Sequence, residues 1–163
     1  MAGCIILIGF MGVGKSTVGK LLAESLKYDF IDTDVEIEKK HNMRISDMFS
    51  KYGEAYFRKL EKEYINSIPG DTPIVISCGG GSVIDADNVN KLKSLGKIIY
   101  LRANEDTILT RTAGNNDRPL LVRENLSRLL AVRDEIYSNC CDECIDTDEY
   151  NTKKTVEILM RIV

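Results

Sequence analysis

The segment that most limits what this chain can fold into is a glycine-rich loop at residues 9–16, which reads GFMGVGKS. It matches the pattern G-x-x-x-x-G-K-[ST], which requires a strand before it and a helix after it. Residues 4–8, CIILI, form a short apolar run that predicts a buried parallel strand. Residues 17–26 place their apolar side chains on one helical face. The chain therefore opens with a strand–loop–helix unit.

The loop indicates binding of a nucleoside triphosphate. Its glycines let the backbone turn tightly, so that successive N–H groups point at an anion, and the next helix directs its positive end to the same place. Lys15 adds a mobile positive charge, and the Ser16 hydroxyl is suited to bind Mg²⁺. The expected ATP-binding residues of this segment are Gly12, Val13, Gly14, Lys15, Ser16 and Thr17.

Length and charge limit the partners of the protein. A chain of 163 residues predicts one domain, and a net charge of −3 offers no basic surface for nucleic acid. No apolar run approaches the roughly 20 residues that span a bilayer. The N-terminus has no basic segment followed by a cleavage site. We therefore expect a monomeric, cytoplasmic protein without nucleic-acid or membrane partners.

The five cysteines do not predict a disulfide framework, because their number is odd and no secretory signal is present. Cys140, Cys141 and Cys144 are close enough in sequence to suggest a metal cluster. However, the only histidine is His41, and no second cysteine group completes four ligands. Reduced thiols near a helix end or a buried strand are the favoured interpretation, with His41 on the surface.

Apolar segments alternate with helical patterns along the rest of the chain. This alternation predicts a doubly wound α/β layout, with helices on both faces of a five-stranded parallel sheet. In the last helix, Val156, Leu159, Met160 and Val163 are expected to face the core. The strands are expected at residues 4–8, 30–31, 72–78, 97–101 and 145–148.

Two carboxylates follow the second strand. Ligands in open α/β sheets lie beyond the C-terminal ends of strands, so Asp32 and Asp34 are expected near the phosphate loop. They point the same way if the strand period of two persists. One is suited to hold Mg²⁺ through water and the other to meet a substrate hydroxyl. The alternative is a solvated strand-to-helix turn with an aspartate as the helix N-cap.

Further candidate residues lie in a helix and at the end of the third strand. Arg58 and Glu61 are three apart and can meet on a helix surface, although an exposed arginine is the ordinary alternative. The glycines at 79–81 suggest close approach of the backbone to a ligand. No acid follows this strand, where phosphate-loop proteins commonly carry a magnesium-binding aspartate, so Ser16 and Asp32 are expected to take that role.

Residues 111–121 form a polar stretch rich in glycine and asparagine, with arginines at 111 and 118. This composition predicts a mobile loop. A basic, mobile loop in a phosphate-loop protein is typical of a lid that closes over the nucleotide, and an ordinary surface loop is the alternative.

Taken together, these residues resemble the shikimate kinases, a family of small phosphate-loop enzymes similar to nucleoside-monophosphate kinases. The resemblance covers almost the whole chain and implies phosphorylation of the 3-hydroxyl of shikimate by ATP, with Mg²⁺, in the pathway to aromatic amino acids. The motifs that carry it are GFMGVGKST at 9–17, DTD at 32–34, GExxFRxxE at 53–61, GGG at 79–81 and RPLL at 118–121.

The resemblance also implies a domain organisation. A single three-layer α/β/α domain spans residues 1–163. The expected division is a core at 1–32, 62–108 and 123–163, a helical substrate-binding segment at 33–61 and a mobile lid at 109–122.

On the nucleotide side, the resemblance implies that Lys15 and the loop amides hold the ATP phosphates. Arg118 would meet the transferring phosphate from the lid, and Arg111 would pack against adenine. Ser16 would bind Mg²⁺ directly, and Asp32 would reach it through water. The chain departs from the family around residues 140–144, so no adenine contact beyond Arg111 is assigned.

On the acceptor side, the resemblance implies that Asp34 meets the shikimate hydroxyls and takes the proton, which makes it catalytic together with Lys15 and Arg118. Arg58 and Arg133 would bind the shikimate carboxylate, with Glu61 holding Arg58 in place. The backbone contacts to the substrate would come from Gly79, Gly80 and Gly81.

Two other interpretations stay open. Another small-molecule kinase of the same fold, such as a gluconate kinase, would use the same loop with a different acceptor site. A non-catalytic nucleotide-binding or regulatory domain belongs to a different class. Arg58 and Arg133, both aimed at one carboxylate, favour shikimate, and retention of Lys15, Asp34 and Arg118 argues against a non-catalytic domain.

Overall fold

Strands and helices alternate along the chain in the computed structural model, which describes residues 3–113 and 123–163. The strands are β1 (Cys4–Ile8), β2 (Asp29–Asp32), β3 (Ile74–Ser77), β4 (Gly96–Arg102) and β5 (Glu143–Asp146). The helices are α1 (Lys15–Leu26), α2 (Thr33–His41), α3 (Ile45–Tyr52), α4 (Glu54–Ser67), α5 (Ala86–Leu95), α6 (Glu105–Thr112), α7 (Arg123–Cys140) and α8 (Thr152–Ile162).

The five strands form one parallel sheet in the order β2-β3-β1-β4-β5, which confirms the predicted fold class. β1 lies in the centre, with Ile6 paired to Ile76 on one side and to Ile98 on the other. The chain runs to one side of β1 for β2 and β3 and to the other side for β4 and β5. The carboxyl end of β1 is therefore the topological switch point where ligands bind in such sheets.

The main core forms because the central strands are apolar on both faces. Ile6, Ile76 and Ile98 are fully buried between the helices, and each such side chain contributes roughly 1.5–3 kcal/mol. Helix α1 packs on β3 and α8, while α5 and α7 pack on β4. This arrangement makes the sheet a rigid base for the loops at its carboxyl edge.

A second, smaller core lies within residues 33–61. Ile37 of α2, Met48 of α3, and Phe57 and Leu60 of α4 are buried against each other. These three helices connect β2 to β3, so they project from the carboxyl edge of the sheet beside the phosphate loop. The small core gives this helical segment its own internal support.

The last strand and the last helix depart from the sequence predictions. Strand β5 ends at Asp146, two residues before the predicted end. In α8, Val156 and Leu159 are buried, but Met160 is 40% exposed, and Val163, which follows the last residue of the helix, is 44% exposed. Met160 follows Leu159 by one residue, about 100° around the helix, which turns it away from the core.

Of the predicted lid, only residues 109–113 belong to the described part of the chain. Residues 109–112 form the last turn of α6, and residues 114–122 of the predicted lid lie outside the described residues.

Among the described helices, none is long and apolar enough to cross a membrane.

Candidate active site

The phosphate loop connects β1 to α1 in the conformation that the motif requires. Gly14 is the N-cap of α1 with a φ of 95°, a left-handed conformation that favours glycine. No acidic residue lies in the first turn of α1, so the positive end of the helix is not neutralised there. The loop and the first turn face a cavity and together have the geometry that suits an anion.

Lys15 lies across the phosphate loop and is only 9% exposed. Its Nζ donates to the carbonyl oxygens of Gly9 at 2.7 Å and Phe10 at 2.9 Å. These bonds hold a positive charge at the mouth of the loop. The flexible lysine stem allows the ammonium to exchange a carbonyl oxygen for a phosphate oxygen.

Ser16 and Asp32, the pair predicted to bind the metal ion, lie side by side. The Ser16 hydroxyl donates to Asp32 Oδ2, and the Ser77 hydroxyl oxygen lies 3.5 Å from the Ser16 hydroxyl oxygen. Asp32 Oδ1 accepts from the backbone N–H groups of Asp34 and Val35, at 3.1 and 3.3 Å. Asp32 is therefore both the N-cap of α2 and a neighbour of the phosphate loop.

The donor set of this pair fits Mg²⁺, because it consists of hard hydroxyl and carboxylate oxygens. Within residues 3–113 and 123–163, no group of three or more His, Cys, Asp or Glu side chains could hold a metal ion. An ion at Ser16 and Asp32 would thus complete its shell with water and phosphate oxygens, as Mg²⁺ commonly does. The five cysteines, including the three at 140–144, are free thiols.

Asp34 does not share a strand with Asp32, so the argument from strand periodicity was wrong. β2 ends at Asp32, and Asp34 lies in the first turn of α2. Its Oδ1 is buried and finds no hydrogen-bond partner among the described residues. Burial, followed by the negative charges of Glu61 and Asp32, raises the pKa of Asp34 to about 6. This enclosed oxygen is suited to accept a proton from a substrate hydroxyl.

The glycines at 79–81 bring the backbone close to three side chains. The Gly79 N–H donates to the buried Thr33 hydroxyl at 3.0 Å, and a methyl group on Gly79 would lie 2.5 Å from Asp34 Oδ1. The guanidinium of Arg58 occupies the space that a side chain on Gly81 would need. The absence of a side chain is therefore a packing requirement at Gly79 and at Gly81.

Arg58 is held by two acidic side chains of very different exposure. Its Nη1 donates to Glu61 Oε1 at 2.9 Å, while Nε and Nη2 contact Glu54 Oε1 at 3.3 Å. The Glu61 side chain is 1% exposed, the Glu54 side chain 61% and the Arg58 side chain 29%. Glu61 Oε2 also accepts from the buried Ser82 hydroxyl at 2.7 Å. Arg58 is therefore not an ordinary exposed helical arginine.

The charge of Arg58 is secured by this arrangement. Burial by itself lowers the pKa of Arg58, but the charges and hydrogen bonds of Glu61 and Glu54 together outweigh it and raise that pKa. From α7, Arg133 Nη1 donates to the Gly80 carbonyl oxygen at 2.6 Å. The positive side chains of Arg58 in α4 and Arg133 in α7 thus contact two consecutive glycines.

A cavity of about 610 Å³ joins the loop to the carboxylates, a size typical of ligand sites. Its wall includes every expected ATP-binding residue in the described chain, together with Asp32, Asp34, Gly79 and Gly80. Arg58, Gly81 and Arg133 are not part of this wall. Arg133 donates to Gly80, which borders the cavity, and Arg58 contacts Gly81, the next residue.

Arg111, at the start of the predicted loop, lies in the last turn of α6. Its Nη1 donates to the Val13 carbonyl oxygen at 3.2 Å and to the Thr147 hydroxyl at 3.1 Å, and its Nη2 donates to the Thr147 carbonyl oxygen at 3.0 Å. It therefore forms a fixed wall of the cavity. Arg118, the other predicted lid arginine, lies outside the described residues.

The sequence interpretation missed the far wall of the cavity. This wall follows β5 and includes Thr147 and residues 150–152. The rule that ligands lie beyond the carboxyl ends of strands would have pointed to this segment. The hydroxyl groups of Thr33 and Ser82 carried no such signal, because their partners come from distant parts of the chain.

Comparisons with known proteins point to one family. A shikimate kinase family model matches residues 11–163. The shikimate kinase of Persephonella marina is 44% identical over 161 residues, covering 97% of this chain and 98% of that protein. The shikimate kinase of Thermodesulfovibrio yellowstonii is 43% identical over 161 residues, covering 96% and 92%.

Solved structures agree with the sequence relatives. The shikimate kinase from Acinetobacter baumannii in complex with shikimate is similar with a TM-score of 0.93 and 34% identity, covering 99% of this chain and 93% of that one. A gluconokinase from Sinorhizobium meliloti has a TM-score of 0.58 and 18% identity, covering 98% and 93%, so that likeness concerns the fold alone.

Proposed function

Because the chain belongs to the shikimate kinase family, we propose that it transfers a phosphoryl group from ATP to the 3-hydroxyl of shikimate in the pathway to aromatic amino acids. One observation supports shikimate as the acceptor substrate. Arg58 and Arg133 meet consecutive glycines beside the unpartnered carboxylate oxygen of Asp34. A carboxylate and a hydroxyl of one small molecule match these two kinds of group.

The nucleotide half of the proposed site is the phosphate loop. The loop amides, the open end of α1 and Lys15 would bind and orient the phosphates of ATP. Phosphoryl transfer depends on such positioning and on charge stabilisation far more than on covalent help. Arg111, fixed between Val13 and Thr147, would present its planar face to adenine.

Ser16 and Asp32 would hold Mg²⁺, with Asp32 acting through water. When bound, this ion would neutralise charge on the phosphates and orient them. Since β3 ends without an acidic residue, the two side chains would provide the protein's share of the metal site.

Asp34 would act as the proton acceptor for the 3-hydroxyl. Its raised pKa, about 6, brings it nearer to neutral pH, where a general base is most effective. Arg58 and Arg133 would bind the acceptor carboxylate, because a guanidinium offers parallel N–H bonds to that planar group. Glu61 would keep Arg58 oriented.

The part of the predicted lid that follows α6, including Arg118, is proposed to close over the two substrates. Exclusion of water is needed because water competes with shikimate as the phosphoryl acceptor. We further propose that the protein acts as a monomer in the cytoplasm. Both halves of the proposed site come from one chain, and its five thiols are unpaired, which suits a reducing compartment.

A coupled assay of ADP release would test this function, with ATP and Mg²⁺ supplied to shikimate, gluconate and a blank without acceptor. Turnover that depends on shikimate is the expected result. Turnover of gluconate but not shikimate would support a gluconate-type kinase instead. Nucleotide binding without turnover of any acceptor would support a non-catalytic domain.

A further inference from the structure

A buried tyrosine shares a hydrogen-bond acceptor with Arg133. The Tyr137 hydroxyl donates to the Gly80 carbonyl oxygen at 2.5 Å, and Arg133 Nη1 donates to the same oxygen at 2.6 Å. The two residues are four apart on α7, so both side chains leave the helix on the same face. Both lone pairs of the Gly80 carbonyl are therefore used by α7.

The surroundings of Tyr137 leave it little freedom. Its side chain is fully buried and packs on Tyr100, with ring centroids 5.0 Å apart at 44°. The Tyr100 hydroxyl donates to Asp134 Oδ1 at 2.7 Å, which ties β4 to α7. Burial also raises the pKa of Tyr137 to about 12. Its hydroxyl therefore stays protonated and keeps its donor throughout the neutral range.

A fixed carbonyl at Gly80 determines the direction of the next N–H group. In a trans peptide the carbonyl and the following N–H point in opposite directions, and the described residues contain no cis peptide bond. Glycine has more backbone freedom than any other residue, so this segment needs outside bonds to hold one orientation. The Gly81 backbone lies directly against the Arg58 guanidinium.

We propose that Tyr137 is a positioning residue for the acceptor substrate. Its hydroxyl orients the Gly80–Gly81 peptide, and with it the Gly81 N–H group beside Arg58, one of the two arginines proposed to bind the shikimate carboxylate. Because Tyr137 shares the Gly80 oxygen, Arg133 is not the only restraint on the glycines, and its other N–H groups serve the substrate. This inference rests on the proposed function of the site.

The Tyr137→Phe variant tests the proposal because it removes only the hydroxyl. The ring still packs on Tyr100, and Arg133 still donates to Gly80. Loss of one hydrogen bond predicts a rise of about 10-fold in the KM for shikimate. The KM for ATP should stay within about twofold of wild type, since the nucleotide side is held by separate bonds.

The matched control is Tyr100→Phe, which removes the hydroxyl of the other ring in the same pair. That hydroxyl bonds Asp134 and not the glycine segment. A lower unfolding temperature with a shikimate KM within about twofold of wild type is expected. An equal rise in the shikimate KM of both variants, or an equal rise in both KM values of Tyr137→Phe, would assign the effect to packing and overturn the proposal.

Hydrogen–deuterium exchange of residues 79–82, measured without substrates, gives a readout that does not depend on turnover. Faster exchange in Tyr137→Phe than in wild type and Tyr100→Phe is expected. Unchanged exchange with an unchanged shikimate KM would overturn the positioning role while leaving the proposed function intact. Failure of the wild-type protein to phosphorylate shikimate would overturn the function itself, and this role with it.

Discussion

Arg58 offers a comparison between a buried and an exposed acidic partner within one helix. Both Glu54 and Glu61 contact its guanidinium, but the Glu54 side chain is 61% exposed and that of Glu61 is 1% exposed. Replacing each glutamate with alanine removes one negative charge beside the same arginine. The two variants therefore differ in how much water screens the lost interaction.

Glu61→Ala is expected to cost ~3 kcal/mol of unfolding free energy. Removing one member of a buried ion pair typically costs ~3–5 kcal/mol, and the 29% exposure of the Arg58 side chain places this case at the lower end. The change also leaves the buried Ser82 hydroxyl without its acceptor, which by itself costs ~1–3 kcal/mol. Glu54→Ala should cost at most ~0.5 kcal/mol, because exposed pairs contribute little.

Urea unfolding followed by circular dichroism would measure both values, since the chain has no tryptophan for fluorescence. In thermal unfolding, ~3 kcal/mol corresponds to a shift of about 6–12 °C for a protein of this size. Glu61→Gln, which keeps the shape and one acceptor oxygen, should fall between the two alanine variants. Equal losses in Glu54→Ala and Glu61→Ala would refute the reasoning from burial.

Three further changes probe the loop and the carboxylate side. Lys15→Met should abolish phosphoryl transfer while the circular dichroism spectrum stays that of the folded protein; a wild-type rate would contradict its role. The pKa of Asp34, raised by burial from 3.8 to about 6, means that the folded state binds this proton more tightly than the unfolded state. The unfolding free energy of wild type relative to Asp34→Asn should therefore be greatest below about pH 4 and fall by ~3 kcal/mol as the pH rises through about 6. Urea unfolding without metal would measure this difference, and a difference that does not vary with pH would contradict the argument. Gly79→Ala would place a methyl group 2.5 Å from Asp34 Oδ1, so the KM for shikimate should rise by at least about 10-fold; an unchanged KM would show that Asp34 can move aside.

The order of strands and helices could be predicted from the sequence, because it depends on neighbouring residues. The apolar run at 4–8, the glycines of the loop and the periodic helix after it specify a strand–loop–helix unit within 23 residues. The residues of the phosphate loop carry their chemistry in their own backbone and side chains. For the same reason Lys15 and Ser16 could be proposed directly from the motif, and the parallel sheet followed from the alternation of elements.

Burial and hydrogen-bond partners could not be predicted in this way, because they depend on segments that meet only after folding. Glu61 and Ser82 are 21 residues apart, and Tyr137 and Gly80 are 57 apart. Asp34 was identified from its position after β2, but a strand-based argument placed it wrongly, and its enclosed oxygen arises from packing against Gly79. The sequence thus specified the phosphate loop and the types of side chain expected around it. The packing of α4 and α7 against the glycines determined which charges are buried, and burial sets their strength because it removes the screening effect of water.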